Sequence, residues 1–301
     1  FREMAEEVIV PPVPLPLVLD SMLLEWLRED VGRGDQTTQA LSTASRCRQK
    51  GAARWVAKQK GVVAGLPIAA RLFHLLDSQV VFTAEVAEGQ ACEVGQVIAT
   101  LHGPFNALLV GERVALNIAM RLSGIATMTR QYSAQIADLP TRLVDTRKTI
   151  PGMRILEKYA SRVGGAMNHR LGLDDAVMLK DNHIAAAGGI GPAIALVRQN
   201  CPYPLTIEVE VESLVMVEAA LEHHADIIML DNMSLDLMRT AVQMIRQKNA
   251  QTKIEASGNV TIETIRAIAE TGVDYISSSA PITRSPWLDL SMKMDSVPQS
   301  P

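Results

Sequence analysis

Residues 145–183 carry three blocks: D-T-R-K-T-I-P-G at Asp145–Gly152, G-G-A-M-N-H-R-L-G-L at Gly164–Leu173, and A-V-M-L-K-D-N-H at Ala176–His183. Arg147, Lys148, His169, Arg170 and Lys180 each stand at or just past the end of a short apolar segment. Leu143-Val144 and Ala176–Leu179 have the length and character of parallel strands covered on both faces. In an α/β sheet or barrel the carboxyl ends of the strands share one rim, where sites form. Five cationic or potentially cationic side chains then converge on one pocket. Like charges repel, so the arrangement calls for an anionic occupant.

Outward from these blocks, strand–helix alternation runs through the second half of the chain. Strands are predicted at 142–147, 165–169, 176–181, 205–211, 226–231, 253–257 and 274–278, with helices at 152–163, 190–199, 213–223, 235–248 and 261–270. Parallel βα units of this kind give a barrel or an open α/β sheet. About seven strands are present, in fewer residues than the ~250 typical of an eight-fold barrel.

The first half reads differently. Residues 1–16 end in a proline-rich, extended segment, and 17–29 fit a helical face. E-D-V-G-R-G-D-Q-T-T at 29–38 reads as a loop before the next strand. Strands at 52–57, 61–64, 80–87 and 97–102, with a helix at 66–76, predict a separate α+β layer. Residues 104–138 are helical and bring Arg113, Asn117 and Arg121 to one side, read as a solvated face. The segment L-D-L-S-M-K-M after Trp287 is strand-like and suited to rejoin the first layer; Pro298–Pro301 should fray. Trp26, Trp55 and Trp287 are expected to pack between layers. The predicted partition is an extended segment at 1–16, a first domain of 17–115 plus 285–301, and a second domain of 116–284.

A net charge of -4 gives nothing global that favours nucleic acid or an anionic membrane. Cys47, Cys92 and Cys201 are widely spaced and odd in number, which suits a reducing cytoplasm better than a disulfide framework. No apolar run approaches the ~20 residues of a membrane helix, and no basic-then-apolar leader is visible.

The later strands add acids. Glu208 and Glu210 in I-E-V-E-V share one strand face, and Asp231 ends I-I-M-L-D. Carboxylates facing a barrel interior are costly unless paired or metal-bound, and a cation pocket beside them suits a substrate with an anionic part and a polyhydroxyl or Mg²⁺-bound part. Ser257-Gly258-Asn259 and Ser277-Ser278-Ser279 follow the last strands, where barrels commonly bind phosphate. Each loop taken singly is also ordinary loop chemistry. Lys180 also suits a Schiff-base aldolase. His183 reads as a cap, and His223-His224 as surface.

D-T-R-K-T-I-P-G-M-R, G-G-A-M-N-H-R-L-G-L and K-D-N-H resemble the signature of the quinolinate phosphoribosyltransferase family. E-D-x-G-x-G-D-x-T-T, G-E-R-x-x-L-N at 111–117, L-S-G-I-A-T at 122–127, E-V-E-V and M-L-D-N resemble it in the same order. The resemblance spans about residues 17–294. It implies an α+β open sandwich followed by an incomplete, seven-stranded α/β barrel. It implies phosphoribosyl transfer from 5-phosphoribosyl 1-diphosphate to quinolinate with decarboxylation, Mg²⁺ as cofactor, and a homodimer in which Arg113 reaches the neighbouring site. On the matching positions, Arg113, Arg147, Lys148, His169, Arg170 and Lys180 would grip quinolinate. Glu210 and Asp231 would meet the ribose and Mg²⁺-diphosphate, with Glu208 nearby, and 257–259 and 277–279 would bind the 5-phosphate. Lys148, Lys180, Glu210 and Asp231 are the implied catalytic group. This chain has S-S-S-A-P-I-T where the family often has a glycine-containing S-V-G-A-L-T, a departure that bears on amide-mediated phosphate binding. The alternatives are a related pyridine or heterocycle phosphoribosyltransferase without decarboxylation, and a non-catalytic metabolite-binding protein.

Overall fold

Strand pairing between distant parts of the chain organises the molecule, a computed structural model in which residues 10–41 and 50–295 are described. Cys47, the first nine residues and the expected fraying at Pro298–Pro301 lie outside them. In chain order the elements are α1 (Pro16–Val31), α2 (Gln36–Leu41), β1 (Lys50–Ala57), β2 (Gly61–Val62), α3 (Leu66–Leu76), β3 (Val81–Ala84), β4 (Ala91–Cys92), β5 (Val97–Pro104) and α4 (Phe105–Ala134). Then come β6 (Arg142–Val144), α5 (Arg154–Val163), β7 (Val177–Leu179), α6 (Asp181–Ala187), α7 (Ile190–Asn200), β8 (Ile207–Val211) and α8 (Leu214–Glu222). The chain ends with β9 (Ile227–Asp231), α9 (Leu235–Lys248), β10 (Lys253–Ser257), α10 (Ile265–Ala269), β11 (Tyr275–Ser277), α11 (Ala280–Thr283) and β12 (Leu290–Met294).

The chain forms two units: 1–128 with 155–164 and 285–301, and 129–154 with 165–284. In the first, an antiparallel sheet runs β12-β1-β5-β3, beside a small β2-β4 ladder. The returning tail is β12, whose Met294 stands opposite Ala53 of β1. Trp55, fully buried, meets Phe82 edge-on with ring centroids 5.3 Å apart, and burial of such rings dominates a core of this size. Leu19, Leu23 and Leu27 recur every four residues along α1 and are all buried.

Three expectations fail in this unit. Gln36-Thr37-Thr38 is not loop: the Asp35 carboxylate accepts from the Thr37 and Thr38 amides, satisfies the free N–H groups, and starts α2. Arg121 is not on a solvated face. It is buried, and its Nε and Nη2 donate to Glu157 Oε1 of α5 at 3.0 and 2.6 Å; Glu157 has no exposed surface. Periodicity placed Arg121 with Arg113, yet Arg113 is exposed, because a buried acid elsewhere in the chain claims only one of the two. Trp287 does not pack between layers: it is 49% exposed, and Trp26 is half-buried.

The second unit holds six parallel strands in the order β6-β11-β10-β9-β8-β7. Residues 165–169, expected as a seventh strand, contribute one parallel bridge, Val144 to Met167, on the free side of β6. The Asp145 carboxylate explains the shortfall. It accepts from Asn168 Nδ2 at 2.7 Å and from the His169 amide at 2.9 Å, which diverts those residues from the ladder. Gly165, at φ 107, bends the other end away. Among the described residues no pair joins this edge to β7, so the barrel is incomplete. Helix α6 was not anticipated. Its N-cap is Lys180, whose amide donates to His183 Nδ1 at 3.1 Å, so His183 does serve as a cap.

Candidate active site

The carboxyl ends of β6 to β11 surround a cavity of about 540 Å³, within the range of small-molecule sites. Short parallel strands present their next residues to this rim. Arg147 and Lys148 follow β6, where the Thr146 hydroxyl accepts the Lys148 amide at 3.0 Å and tightens the turn. His169 and Arg170 follow the Met167 bridge. Lys180 follows β7, Glu210 lies in β8, and Asp231 ends β9. Ser257, Gly258 and Asn259 follow β10, and Ser277, Ser278 and Ser279 follow β11. All of these predicted residues line the one cavity. Arg113 does not: it belongs to the other unit, on α4.

Two of the cations are individually held. Arg170 Nη1 donates to the Ala176 carbonyl at 2.8 Å. Burial, and next the Arg147 guanidinium, pull the Arg170 pKa below its ordinary value, with Glu208 opposing. This is the cost expected of burying one cation beside another. Lys180 Nζ is ion-paired with Glu210 Oε2. That pairing weakens the aldolase alternative, because a Schiff-base lysine needs an unprotonated amine and a carboxylate partner favours the protonated one.

Below the cations lies a group of which the sequence reading named two members and missed the third. His169 Nε2 is 3.2 Å from Glu208 Oε2 and 3.6 Å from Glu255 Oε2. Glu255 was not singled out; its only signal was an acid inside the apolar run K-I-E-A-S. Burial, and then the neighbouring Glu208, push the Glu255 carboxyl up to about 7, against the opposing pull of His169 and the Ser277 hydroxyl. The three side chains have the spacing of a metal site. The ring geometry disfavours one: His169 Nδ1 accepts from the Arg170 amide at 2.7 Å, which leaves the ring hydrogen on Nε2, aimed at the acids. Asn232 and Arg284 also line the cavity and were unassigned.

Glu210 and Asp231 offer hard oxygen donors on the same cavity. Mg²⁺ is commonly held by one or two carboxylates together with substrate phosphates, so this pair fits that ion.

Two family models match the chain: "Quinolinate phosphoribosyl transferase, N-terminal domain" over residues 35–123 and "Quinolinate phosphoribosyl transferase, C-terminal domain" over 125–293. This chain belongs to the quinolinate phosphoribosyl transferase family. Within that family it is 60% identical to a protein of Synechocystis named "Probable nicotinate-nucleotide pyrophosphorylase [carboxylating]", over 95% of this chain and 98% of that one. A Bacillus subtilis protein of the same name is 44% identical over 92% and 93%. The crystal structure of NadC from Streptococcus pyogenes superposes with a TM-score of 0.88 at 41% identity, covering 94% of this chain and 98% of that chain. The family fold, an α/β protein with a small N-terminal sheet domain and an open C-terminal parallel sheet, is the fold described above. Among the described residues of this family member, no helix is long and apolar enough to cross a membrane.

Proposed function

We propose that this chain transfers the phosphoribosyl group of 5-phosphoribosyl 1-diphosphate to quinolinate and decarboxylates the product, giving nicotinate mononucleotide, diphosphate and CO2 for NAD synthesis. The name of the two relatives describes the same reaction read in reverse. One observation carries the reading: Arg147, Lys148, Arg170 and Lys180 line the same cavity as Glu210 and Asp231. A dianionic acid relieves the repulsion among the first four. A ribosyl cation in the making is stabilised by the last two.

Bidentate guanidinium contacts from Arg147 and Arg170 orient the two carboxylates of quinolinate and turn the ring nitrogen toward ribose C1. The nitrogen attacks C1 as the C1–O bond breaks and diphosphate leaves. The nucleotide then holds a positive ring nitrogen beside its 2-carboxylate. CO2 departs and leaves its electron pair on C2, where the adjacent positive charge stabilises it until a proton arrives. No covalent bond to the protein is needed. Glu210 and Asp231 would hold Mg²⁺, which when bound offsets charge on the departing diphosphate. Loops 257–259 and 277–279 would hold the 5-phosphate; Ser277 and Ser278 are buried, and the Ser278 hydroxyl accepts the Ala280 amide at 3.3 Å.

The working form in this reading is a cytoplasmic homodimer, in which Arg113 of one protomer completes its partner's quinolinate pocket. An assay of quinolinate-dependent diphosphate and CO2 release, with and without Mg²⁺, tests the function. Turnover of nicotinate with none of quinolinate would instead support the related transferase without decarboxylation. Binding of both substrates with no product would support a metabolite-binding protein.

A further inference from the structure

Two loops of the cavity are joined through one side chain that the reaction scheme above does not use. Asn232 follows Asp231 directly at the end of β9. In an extended strand, neighbouring side chains point to opposite faces. Asn232 has φ 51, a left-handed conformation that turns its amide back alongside Asp231. Its Nδ2 donates to Asp231 Oδ2 at 2.7 Å, a short bond of the charge-assisted kind. Its Oδ1 accepts from Asn259 Nδ2 at 3.3 Å, and its backbone N–H donates to the Ser257 carbonyl at 2.9 Å. Gly258 lies flush against it: a Cβ there would stand 2.6 Å from Asn232 Cγ and 2.9 Å from its backbone nitrogen. Asn259 is left-handed as well, at φ 50. Apart from glycine, asparagine is among the residues that tolerate this conformation best, and such outliers cluster where geometry is used.

We propose that Asn232 is a positioning residue for the phosphoribosyl donor: its amide fixes the plane of the Asp231 carboxylate and couples it to loop 257–259. The inference rests on the functional reading above and adds to it a residue with a stated job. One oxygen of Asp231 is taken by the amide, so the other is left to face the ribose and diphosphate in a set direction. Binding of the 5-phosphate against loop 257–259 and alignment of the ribose at Asp231 then become one event.

Steady-state kinetics on the full-length protein test this, with each substrate varied in turn. Asn232→Gly removes the amide and keeps the left-handed backbone free of strain. Asn232→Asp keeps the acceptor for Asn259 but loses the donor to Asp231. In both, kcat/KM for 5-phosphoribosyl 1-diphosphate should fall by about tenfold or more, as expected for a slightly misplaced group. KM for quinolinate should stay within about threefold, and the thermal midpoint within about 3 °C. Asn259→Gly, which frees only the far end of the amide, should fall in the same direction by less, and it carries the test if an Asn232 variant does not fold. Unchanged kcat/KM for the donor in these variants overturns the proposal. So does an equal loss toward both substrates with a lowered thermal midpoint, which marks a merely structural role. A wild-type protein without turnover removes the functional reading, and the inference with it; normal wild type with normal variants removes the inference alone.

Discussion

His169 Nε2 lies 3.2 Å from Glu208 Oε2, and both side chains are nearly sealed from solvent. The contact sets a buried acid beneath a cluster of cations. Glu208 also acts on Arg170, opposing the loss of its charge. The floor of the cavity therefore supplies part of the negative charge that the rim needs before any substrate binds. One oxygen of Glu208 has no hydrogen-bond partner, so this counter-charge is retained at a cost to stability.

Stability should depend on pH through Glu255. Its carboxyl titrates near 7 in the folded chain against an ordinary 4.5. Between these values the folded protein keeps a proton that the unfolded chain has released. The contribution is fully present below about pH 4.5 and is lost as pH rises through about 7. Glu255→Gln should lose less stability than wild type on going from about pH 5 to about pH 7.5. Urea midpoints at the two pH values measure this, and parallel losses in the two proteins would contradict it.

Arg147→Ala and Arg170→Ala should each weaken quinolinate binding by about tenfold to a hundredfold, the range for a lost charge-assisted hydrogen bond. KM for 5-phosphoribosyl 1-diphosphate should move far less. Calorimetric titration with quinolinate reads the effect directly; near-normal affinity in both variants would remove these residues from the pocket.

The buried pair in the first unit offers a test independent of activity. Arg121→Met leaves Glu157, which is fully buried, without that partner, and should cost about 3–5 kcal/mol in chemical denaturation. Adding Glu157→Met should recover much of the loss, because two apolar groups need no compensation. An Arg121→Met protein as stable as wild type would show that the pair contributes nothing.

The proposed sharing of a site between two protomers predicts complementation between defective subunits. With quinolinate well below saturation, Arg113→Ala and Arg147→Ala proteins should each lose most of their activity. Mixing them under conditions that exchange protomers should restore partial activity, since one site of each mixed dimer has both arginines. No recovery, with exchange verified by mass, would place Arg113 in its own subunit's site or outside any site.

Much of the cavity could be read along the chain. Arg147, Lys148, His169, Arg170 and Lys180 sit at fixed offsets from short apolar runs, and parallel strands deliver such positions to one rim whatever the loops do. Asp231 and loop 257–259 follow from the same rule. Glu255 escaped it, because an acid between apolar neighbours looks like the polar side of a half-exposed strand. Pairing decides otherwise: Glu255 stands level with Met229, and Met229 with Glu210, so the acid faces inward among the site residues. Residues 165–169 have the composition of a strand, yet the Asp145 side chain claims the His169 amide that a ladder would have used.

The order of the βα units and the identity of the charges at their ends are local properties, legible because strand and helix periods are short. Which charges meet is not local. The Lys180–Glu210 pair, the His169–Glu208–Glu255 group and the Asn259–Asn232–Asp231 chain all join different strands or the loops that follow them. Their formation depends on strand register and on side-chain burial, which are settled only when the whole sheet assembles and water leaves its interior.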